Sequence, residues 1–445
     1  MSRAALEIDA LMALHPKGYD LSLDRIQQLL DRLDNPHRKM PPIIHIAGTN
    51  GKGSVSAFCR SMLEASGHRV HVHTSPHLVC WHERFRMAAE AGAEGGGQLV
   101  DDDLLCATIR RVAAANAGAA ITVFEILTAT MFVLFSEHPA DVAIIEVGLG
   151  GRFDATNVIP GPAATLITPI SLDHQAYLGD RVELIAAEKA GIIKAGCPVV
   201  IGEQLEAEAR DVLIGTAERL RSPMAVYGQD FMAYGEHNRL IYQDEEELLD
   251  LPLPHLTGRH QFGNAAVAIR GLKAAGFLIS EDAIGRGLAS VAWPGRLQLL
   301  STGPISEMAG PGAEIWIDGG HNPGAGRVVA EAMANAEERQ SRELFVICGM
   351  LNTKEPRGFF EAFAGIAKHV FTVPIQSSEA GLDPVALASD AAEASLSAEP
   401  ADTVEAALKA IATAWQRPDN PPRILICGSL YLVGEVLAAN RTPPR

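Results

Sequence analysis

Residues 43–54 read IIHIAGTNGKGS, an apolar run that breaks into a glycine-rich loop carrying one lysine, Lys52. The run predicts a buried strand over 43–47, and the residues from Ser54 onward predict a helix. A strand that turns through glycines into a helix presents backbone N–H groups to an anion. The spacing departs from the GxxxxGK[ST] pattern because Gly53 separates Lys52 from Ser54. Taken alone, the stretch is either a phosphate-binding loop of another form or a glycine-rich turn with an exposed lysine.

Strand-like and helix-like stretches alternate along the rest of the chain. Helical patterns such as 24–33, 54–66 and 325–336 lie between apolar, β-branched runs. This alternation predicts an α/β fold of mainly parallel sheets covered by helices. The candidate strands are residues 43–47, 142–147, 164–168, 198–201, 314–318, 344–348, 370–373 and 424–427.

A Trp-Pro-Gly sequence within residues 291–298, VAWPGRLQ, separates a helical segment from a new series of strands. With 445 residues the chain is long enough for two domains. We therefore predict one domain over 1–295 and a smaller one over 296–445, with WPGRLQ (293–298) as the hinge.

Composition and charge limit the partners of the protein. The formal net charge of −17 argues against general binding to nucleic acid or to an anionic membrane. The most apolar stretch, ITVFEILTATMFVLF, is too short to span a bilayer and contains Glu125. The N-terminus has no long apolar core, and the six cysteines form no CxxC pair. We expect a cytoplasmic protein with reduced thiols that acts on small molecules.

An acidic residue ends a second strand. In residues 141–157, DVAIIEVGLGGRFDATN, the apolar run stops at Glu146 and glycines follow. The carboxyl ends of parallel strands form the crevice in which α/β sheets bind ligands. Beside a triphosphate, this carboxylate would be a natural Mg²⁺ ligand. The alternative is a glutamate that caps a neighbouring helix.

Three further stretches carry candidate polar residues. The strand in LITPISLDHQAYLG is followed by Asp173 and His174, and AAEKAGIIKAG holds Lys189 in an apolar setting. Past the predicted hinge, WIDGGHNPGA ends a strand with Asp318 and His321. Each stretch has an ordinary structural alternative. His174 could be a structural histidine, Lys189 an exposed helix lysine, and the polar residues after Trp316 helix-capping residues in a βα turn.

Together these motifs resemble one family. HIAGTNGKGS, TSPHL (74–78), EVGLGGRFDATN, LDH followed by LG, EKAGI, GRHQFGNAAVA (258–268), WPGRLQ and DGGHNP occur in the order found in folylpolyglutamate synthases and dihydrofolate synthases. These enzymes belong to the ATP-dependent Mur ligases, and the resemblance covers nearly the whole chain. It implies a P-loop-containing, Mur-ligase-like central domain and a smaller Rossmann-like α/β C-terminal domain. The phosphate loop of that family has the form GTNGKG[ST], so the extra glycine fits it.

The resemblance also implies the site residues. Ser75, Glu146 and His174 would hold two Mg²⁺ ions, Lys189 would be carbamylated, and His321 would contact phosphate. Lys52, Lys189 and His321 are therefore the candidate catalytic residues. The ATP contacts would be Thr49, Asn50, Gly51, Lys52, Gly53, Ser54, Asn264, Arg296 and Asp318. The pteroate contacts would be Asp20, Leu21, Ser22, Thr122, Val123, Phe124, Glu125, Phe153, Asp154 and Ala155.

The implied reaction is an ATP-driven amide ligation. The γ-phosphoryl group would pass to a substrate carboxylate, and the amine of L-glutamate would attack the acyl phosphate. We expect a bifunctional, monomeric enzyme that acts on dihydropteroate and on folates. A ligase of a UDP-linked cell-wall precursor, a P-loop ATPase or kinase, and a non-catalytic relative remain as alternatives. The chain departs from the family at Gln175-Ala176-Tyr177, where Thr-Asp-Trp is common, which removes an acidic residue near the metal site.

Overall fold

The structure is a computed structural model that describes residues 2–14, 22–90, 92 and 95–444. The described residues form three sheets. The first sheet has eight strands in the order β4-β3-β2-β5-β1-β6-β7-β8, and it is parallel except for the β2–β3 and β3–β4 pairs. Its strands are β1 (Ile43–Ala47), β2 (Val70–His73), β3 (Phe85–Met87), β4 (Gln98–Leu99), β5 (Val142–Glu146), β6 (Ala164–Ile167), β7 (Val199–Ile201) and β8 (Met224–Val226).

Strand β1 lies at the centre of this sheet, hydrogen-bonded to β5 on one side and to β6 on the other. All five of its residues are buried. Ile44 and Ile46 pack into one hydrophobic cluster, while Ile43 packs into another on the opposite face. A central parallel strand covered by helices on both faces is apolar at nearly every position, which explains the continuous run in the sequence.

The second sheet is a small antiparallel meander that the sequence analysis did not predict. It contains β9 (Phe231–Glu236), β10 (Arg239–Asp244) and β11 (Leu248–Pro252). His237 and Asn238 form the tight turn between β9 and β10, and both have positive φ angles, 47° and 61°. A two-residue hairpin turn needs this left-handed conformation at both positions, and Asn is one of the residues that adopts it readily.

The third sheet begins after the Trp-Pro-Gly segment and has the order β12-β13-β17-β14-β15-β16. Only the β12–β13 pair is antiparallel. Its strands are β12 (Gln298–Leu300), β13 (Glu314–Ile317), β14 (Leu344–Cys348), β15 (Ala367–Thr372), β16 (Ala398–Pro400) and β17 (Arg423–Cys427). We call the part that carries the first two sheets the first lobe and the part from β12 onward the second lobe. The domain boundary between residues 295 and 296 stays a prediction.

Helices cover the sheets of both lobes. Those of the first lobe are α1 (Arg3–Leu14), α2 (Asp24–Arg32), α3 (Lys52–Ala65), α4 (Asp102–Asn116), α5 (Val123–Glu137), α6 (Gln175–Leu178), α7 (Val182–Ala190), α8 (Ala207–Leu220), α9 (His260–Ala274) and α10 (Glu281–Ser290). Those of the second lobe are α11 (Pro304–Met308), α12 (Pro323–Arg339), α13 (Pro356–Glu361), α14 (Pro384–Glu393), α15 (Val404–Ala414) and α16 (Leu430–Ala439). Short 3₁₀ turns occupy Pro36–Arg38, Trp81–Arg84 and Ala155–Val158. The predicted α/β class is confirmed. Among the described residues, no helix combines the length and the apolar character that crossing a membrane requires.

Candidate active site

The loop between β1 and α3, residues 48–54, forms the centre of the site, and we call it the phosphate loop. Helix α3 begins at Lys52 and its N-cap is Gly51, with φ 91°. Ser54 therefore lies inside the first helical turn, and its hydroxyl does not cap the helix. The backbone N–H groups of Thr49 and Asn50 donate to the Pro169 carbonyl at 3.0 and 3.1 Å. Anion binding would therefore rest on the N–H groups at the start of α3.

Two glycines of the phosphate loop allow close contacts with other segments. A Cβ on Gly53 would lie 2.5 Å from Nε1 of Trp293, the tryptophan of the Trp-Pro-Gly segment. A Cβ on Gly51 would lie 2.7 Å from Oδ1 of Asn264 on α9. The glycine that sets this loop apart from the GxxxxGK[ST] pattern thus leaves room for an indole. The sequence alone could not reveal this contact, because 240 positions separate the two residues.

A cavity of about 620 Å³ opens over the phosphate loop, and we call it the larger cavity. It extends from the carboxyl ends of the first sheet to the second lobe. It brings together every residue of the predicted ATP set: Thr49, Asn50, Gly51, Lys52, Gly53, Ser54, Asn264, Arg296 and Asp318. Glu203, Arg259 and His260 also line it and were not predicted. His260 lies in the GRHQFGNAAVA motif, so it could have been predicted from the same motif as Asn264.

Two buried side chains of the larger cavity have altered proton affinities. Burial raises the pKa of Glu146 to about 7, although the positive charges of Lys52 and Arg296 oppose the change. The Nζ atom of Lys52 lies 3.9 Å from Glu146 Oε1. Burial, together with the nearby charge of Lys52, lowers the pKa of Lys189 to about 7. Lys189 is 5% exposed, so the structural alternative of an exposed helix lysine is wrong.

The three predicted metal ligands, Ser75, Glu146 and His174, all line the larger cavity. The part of the chain that the structure describes contains no group of three or more His, Cys, Asp or Glu side chains arranged to hold a metal. The predicted ligands would not form such a group, because only Glu146 and His174 are of these residue types and Ser75 would contribute a hydroxyl. A buried carboxylate and a hydroxyl at the mouth of a phosphate loop are donors that suit Mg²⁺. Burial lowers the pKa of His174 to about 4, which favours a neutral imidazole with a lone pair.

A second cavity of about 380 Å³, the smaller cavity, adjoins the first. Seven residues of the predicted pteroate set line it: Ser22, Thr122, Phe124, Glu125, Phe153, Asp154 and Ala155. Val123 does not, since it packs against the hydrophobic cluster beneath helix α5. Asp20 and Leu21 lie outside the described residues. Arg25, Arg84, Tyr177 and Lys354 also line this cavity and were not predicted.

Two acidic side chains of the smaller cavity have structural partners. Glu125 Oε2 accepts from the backbone and hydroxyl of Thr122, both at 2.8 Å, in a capping box at the start of α5. Its Oε1 is buried without a hydrogen-bond partner. Asp154 Oδ2 accepts from the N–H groups of Gly148 and Leu149 at 3.0 and 2.9 Å. Asp154 therefore holds the glycine-rich loop after β5 in place.

Known proteins resemble this chain over most of its length. A family model described as "Mur ligase, glutamate ligase domain" matches residues 295–430. The dihydrofolate synthase/folylpolyglutamate synthase of Bacillus subtilis is 32% identical over 441 residues, which cover 94% of this chain and 95% of the relative. The chain belongs to the dihydrofolate synthase/folylpolyglutamate synthase family. The predicted family and the predicted enzyme class, an acid–amino-acid ligase, are confirmed.

Solved structures of this family share the whole fold. The Escherichia coli FolC protein in complex with DHPP and ADP has a TM-score of 0.85 at 29% identity, covering 98% of this chain and 97% of that one. A bifunctional folylpolyglutamate synthase/dihydrofolate synthase from Yersinia pestis, complexed with AMPPNP and a Mn ion, has a TM-score of 0.84 at 28% identity, covering 99% and 98%. The comparisons favour neither the cell-wall ligase nor the P-loop ATPase or kinase.

Proposed function

We propose that this chain uses ATP to ligate L-glutamate to dihydropteroate and to the glutamate chain of folates. The observation that carries the proposal is the junction of the two cavities, where a nucleotide in the larger cavity would meet a substrate carboxylate in the smaller one. The residues that line both are Ser75, Pro76, Gly148, Leu149, His174, His321 and Leu430. Phosphoryl transfer requires such a meeting point, because the attacking and leaving oxygens must lie roughly in line.

The larger cavity would hold ATP on the phosphate loop. Polyanionic ATP and a carboxylate repel each other, so the site must supply positive charge before they can react. Lys52 at the start of α3 and Arg296 beside Asp318 would supply part of it. Two Mg²⁺ ions, held by Ser75, Glu146 and His174, would neutralise the phosphates when bound. Glu146 suits a metal ligand because a cation would offset the burial of its charge.

Lys189 would act as a carbamate. An ammonium beside Lys52 and a metal would be repelled, whereas a carbamate offers anionic oxygens. Carbamate formation needs a neutral amine, and a pKa near 7 supports this because a large share of the side chain is then uncharged. A carbamate keeps one N–H on this nitrogen, so the hydrogen bond that Lys189 donates to the Gly48 carbonyl can be retained.

The acyl phosphate made in this way hydrolyses readily, so water must be kept out until glutamate attacks. Contacts between the lobes support this role, since His321 of the second lobe lines both cavities. A hinge at residues 293–298 would let the second lobe close over the first. His321 would contact the transferred phosphate at this junction.

The smaller cavity would hold the ring system of the substrate. Phe124 and the 40% exposed Phe153 lie on its wall and would pack against a flat aromatic ring. Substituting Phe124 by Ala should raise KM for dihydropteroate about 10-fold while leaving nucleotide affinity unchanged. We also propose that the protein is a cytoplasmic monomer, because a net charge of −17 opposes self-association and the scattered cysteines suit a reducing compartment.

One assay tests the proposal. Purified protein, ATP, Mg²⁺ and labelled glutamate are incubated with dihydropteroate and, separately, with tetrahydrofolate. Label should enter a folate product with each acceptor, and ADP should form in equal amount. Incorporation with only one acceptor would reduce the proposal to a single activity. ADP release without incorporation would overturn it.

A further inference from the structure

Polar groups of the second lobe converge on one carboxylate of the first lobe. Asp173 lies in the segment between β6 and α6, and its side chain is 8% exposed. The Lys354 ammonium reaches its Oδ1 at 2.6 Å. Asn322 Nδ2 donates to Oδ2 at 3.2 Å, and His321 Nε2 lies 3.4 Å from the same oxygen. All three partners belong to the second lobe.

The same carboxylate is tied to the metal-ligand candidate beside it. Asp173 Oδ1 also accepts the backbone N–H of His174 at 2.8 Å. His174 has a φ angle of 51°, a left-handed conformation that is uncommon for a residue with a side chain. One oxygen therefore binds both a cation from the second lobe and the backbone of His174.

A second path leads from this point to the phosphate loop. The side-chain amides of Asn322 and Asn50 exchange two hydrogen bonds, at 3.1 and 3.2 Å. Asn322 Oδ1 also accepts from Ala325 N at 2.8 Å, which caps helix α12. Asn322 is thus held by its own helix while it contacts both Asp173 and Asn50 of the first lobe.

These contacts exist only when the lobes are together. Lys354 is also 8% exposed on its side chain, so the ion pair is screened little by water. If the lobes part, Asp173 loses both Lys354 and Asn322, and Asn322 loses its two hydrogen bonds with Asn50. Because these hydrogen bonds form together when the lobes meet and break together when they part, they stabilise the closed arrangement over the open one.

We propose that Asp173 is a positioning residue that couples closure of the two lobes to the orientation of His174. Lys354 and Asn322 bind its carboxylate as the second lobe arrives, and the carboxylate in turn fixes the backbone at His174. The closure part stands on the contacts alone, whereas the consequence for metal binding rests on the proposed function. Lobe closure and metal-site assembly are thereby linked through one side chain.

The test uses the full chain with Mg²⁺ and AMPPNP, a nucleotide that does not turn over. Small-angle X-ray scattering gives the radius of gyration of wild type, Asp173→Asn and Lys354→Met. Both variants should be larger than wild type, and the double variant should be no larger than either single one. Asp244→Asn is the matched control, because Asp244 and Lys273 form a largely buried 2.7 Å pair within the first lobe. It should match wild type.

A second readout follows the metal directly. Mn²⁺ affinity in the presence of AMPPNP, measured by electron paramagnetic resonance, should fall about 10-fold in Asp173→Asn and remain unchanged in Asp244→Asn. An unchanged radius of gyration in Asp173→Asn and Lys354→Met would overturn the closure role. Larger radii with unchanged Mn²⁺ affinity would overturn the coupling to His174. Absence of ligase activity in wild type, with these differences present, would refute the proposed function and leave the closure role standing.

Discussion

The ammonium nitrogen of Lys189 donates a 2.8 Å hydrogen bond to the backbone carbonyl of Gly48, the first residue of the phosphate loop. A helix of the first lobe therefore reaches the loop through a buried amine. Since burial and the charge of Lys52 lower the pKa of this amine to about 7, its charge state changes near neutral pH.

The first prediction concerns carbamylation of Lys189. The neutral fraction of the amine rises as pH increases through about 7, so carbamate formation should rise over the same range. Protein equilibrated with ¹³C-bicarbonate should show a carbamate signal by NMR, and removal of CO₂ should reduce activity reversibly. Lys189→Arg should lack the signal, while Lys273→Arg should retain it. A signal that persists in Lys189→Arg would place the carbamate elsewhere.

The second prediction concerns Lys52. Lys52→Ala should lower kcat for ATP-dependent glutamate ligation by about 10³-fold or more, because the transferred phosphate loses its point charge. The melting temperature should stay near that of wild type. Lys39→Ala, which removes an exposed lysine paired with Asp34, serves as the control and should retain activity. Normal turnover of Lys52→Ala would refute the role of the loop.

The third prediction concerns Glu146. Glu146→Gln should raise the Mg²⁺ concentration needed for half-maximal activity by about 10-fold or more. Loss of a group that orients a metal ligand already lowers metal affinity by that order, and loss of the ligand itself should lower it at least as much. Glu203→Gln is the matched control, because Glu203 is an exposed carboxylate at the edge of the same cavity. Its Mg²⁺ dependence should not change. An unchanged dependence in Glu146→Gln would exclude Glu146 as a ligand.

The fourth prediction concerns Gly53. Gly53→Ala should destabilise the protein by about 1–3 kcal/mol, because the new methyl group would overlap the indole of Trp293. Gly215→Ala is the control, since Gly215 is an exposed position of helix α8 where an added Cβ would meet open space. It should stabilise the protein by about 0.5–1 kcal/mol. Urea unfolding measures both, and equal stability of wild type and Gly53→Ala would contradict the contact.

The fifth prediction concerns acid sensitivity. Burial lowers the pKa of His45 to about 3 and that of His73 to about 3. Both imidazoles stay neutral in the folded state while the unfolded chain protonates near pH 6.5, so the unfolded state binds more protons between these values. Stability should therefore fall as pH decreases from about 6.5 towards 3, by about 1.4 kcal/mol per pH unit for each histidine.

Urea unfolding at several pH values tests this sensitivity. His45→Gln should remove one histidine's share of the slope, whatever its effect on stability at pH 7. His237→Gln, at an exposed hairpin turn, should leave the slope unchanged. If the slope of His45→Gln equals that of wild type, the buried histidine is not responsible.

Much of the fold was predictable from local patterns. The strands at 43–47 and 344–348 have the predicted bounds, because a fully buried parallel strand is marked by an unbroken apolar run. The start of α3 was misplaced by two residues, since glycines 51 and 53 conceal a helix start. The meander over 231–252 was missed because its single-faced alternation is weak and Gly235 interrupts it.

The sequence by itself determined which residues end the strands: Glu146 and the phosphate loop lie at the carboxyl ends of two apolar runs, which meet at one edge of the first sheet, and Asp318 follows an apolar run of the third sheet. Only the tertiary structure decided which of them share a cavity and what they touch. Lys354 contacts Asp173 from 181 positions away, and Trp293 covers Gly53. The physical reason is that periodicity and turn chemistry act over a few residues, whereas these contacts arise from the packing of segments that are far apart along the chain.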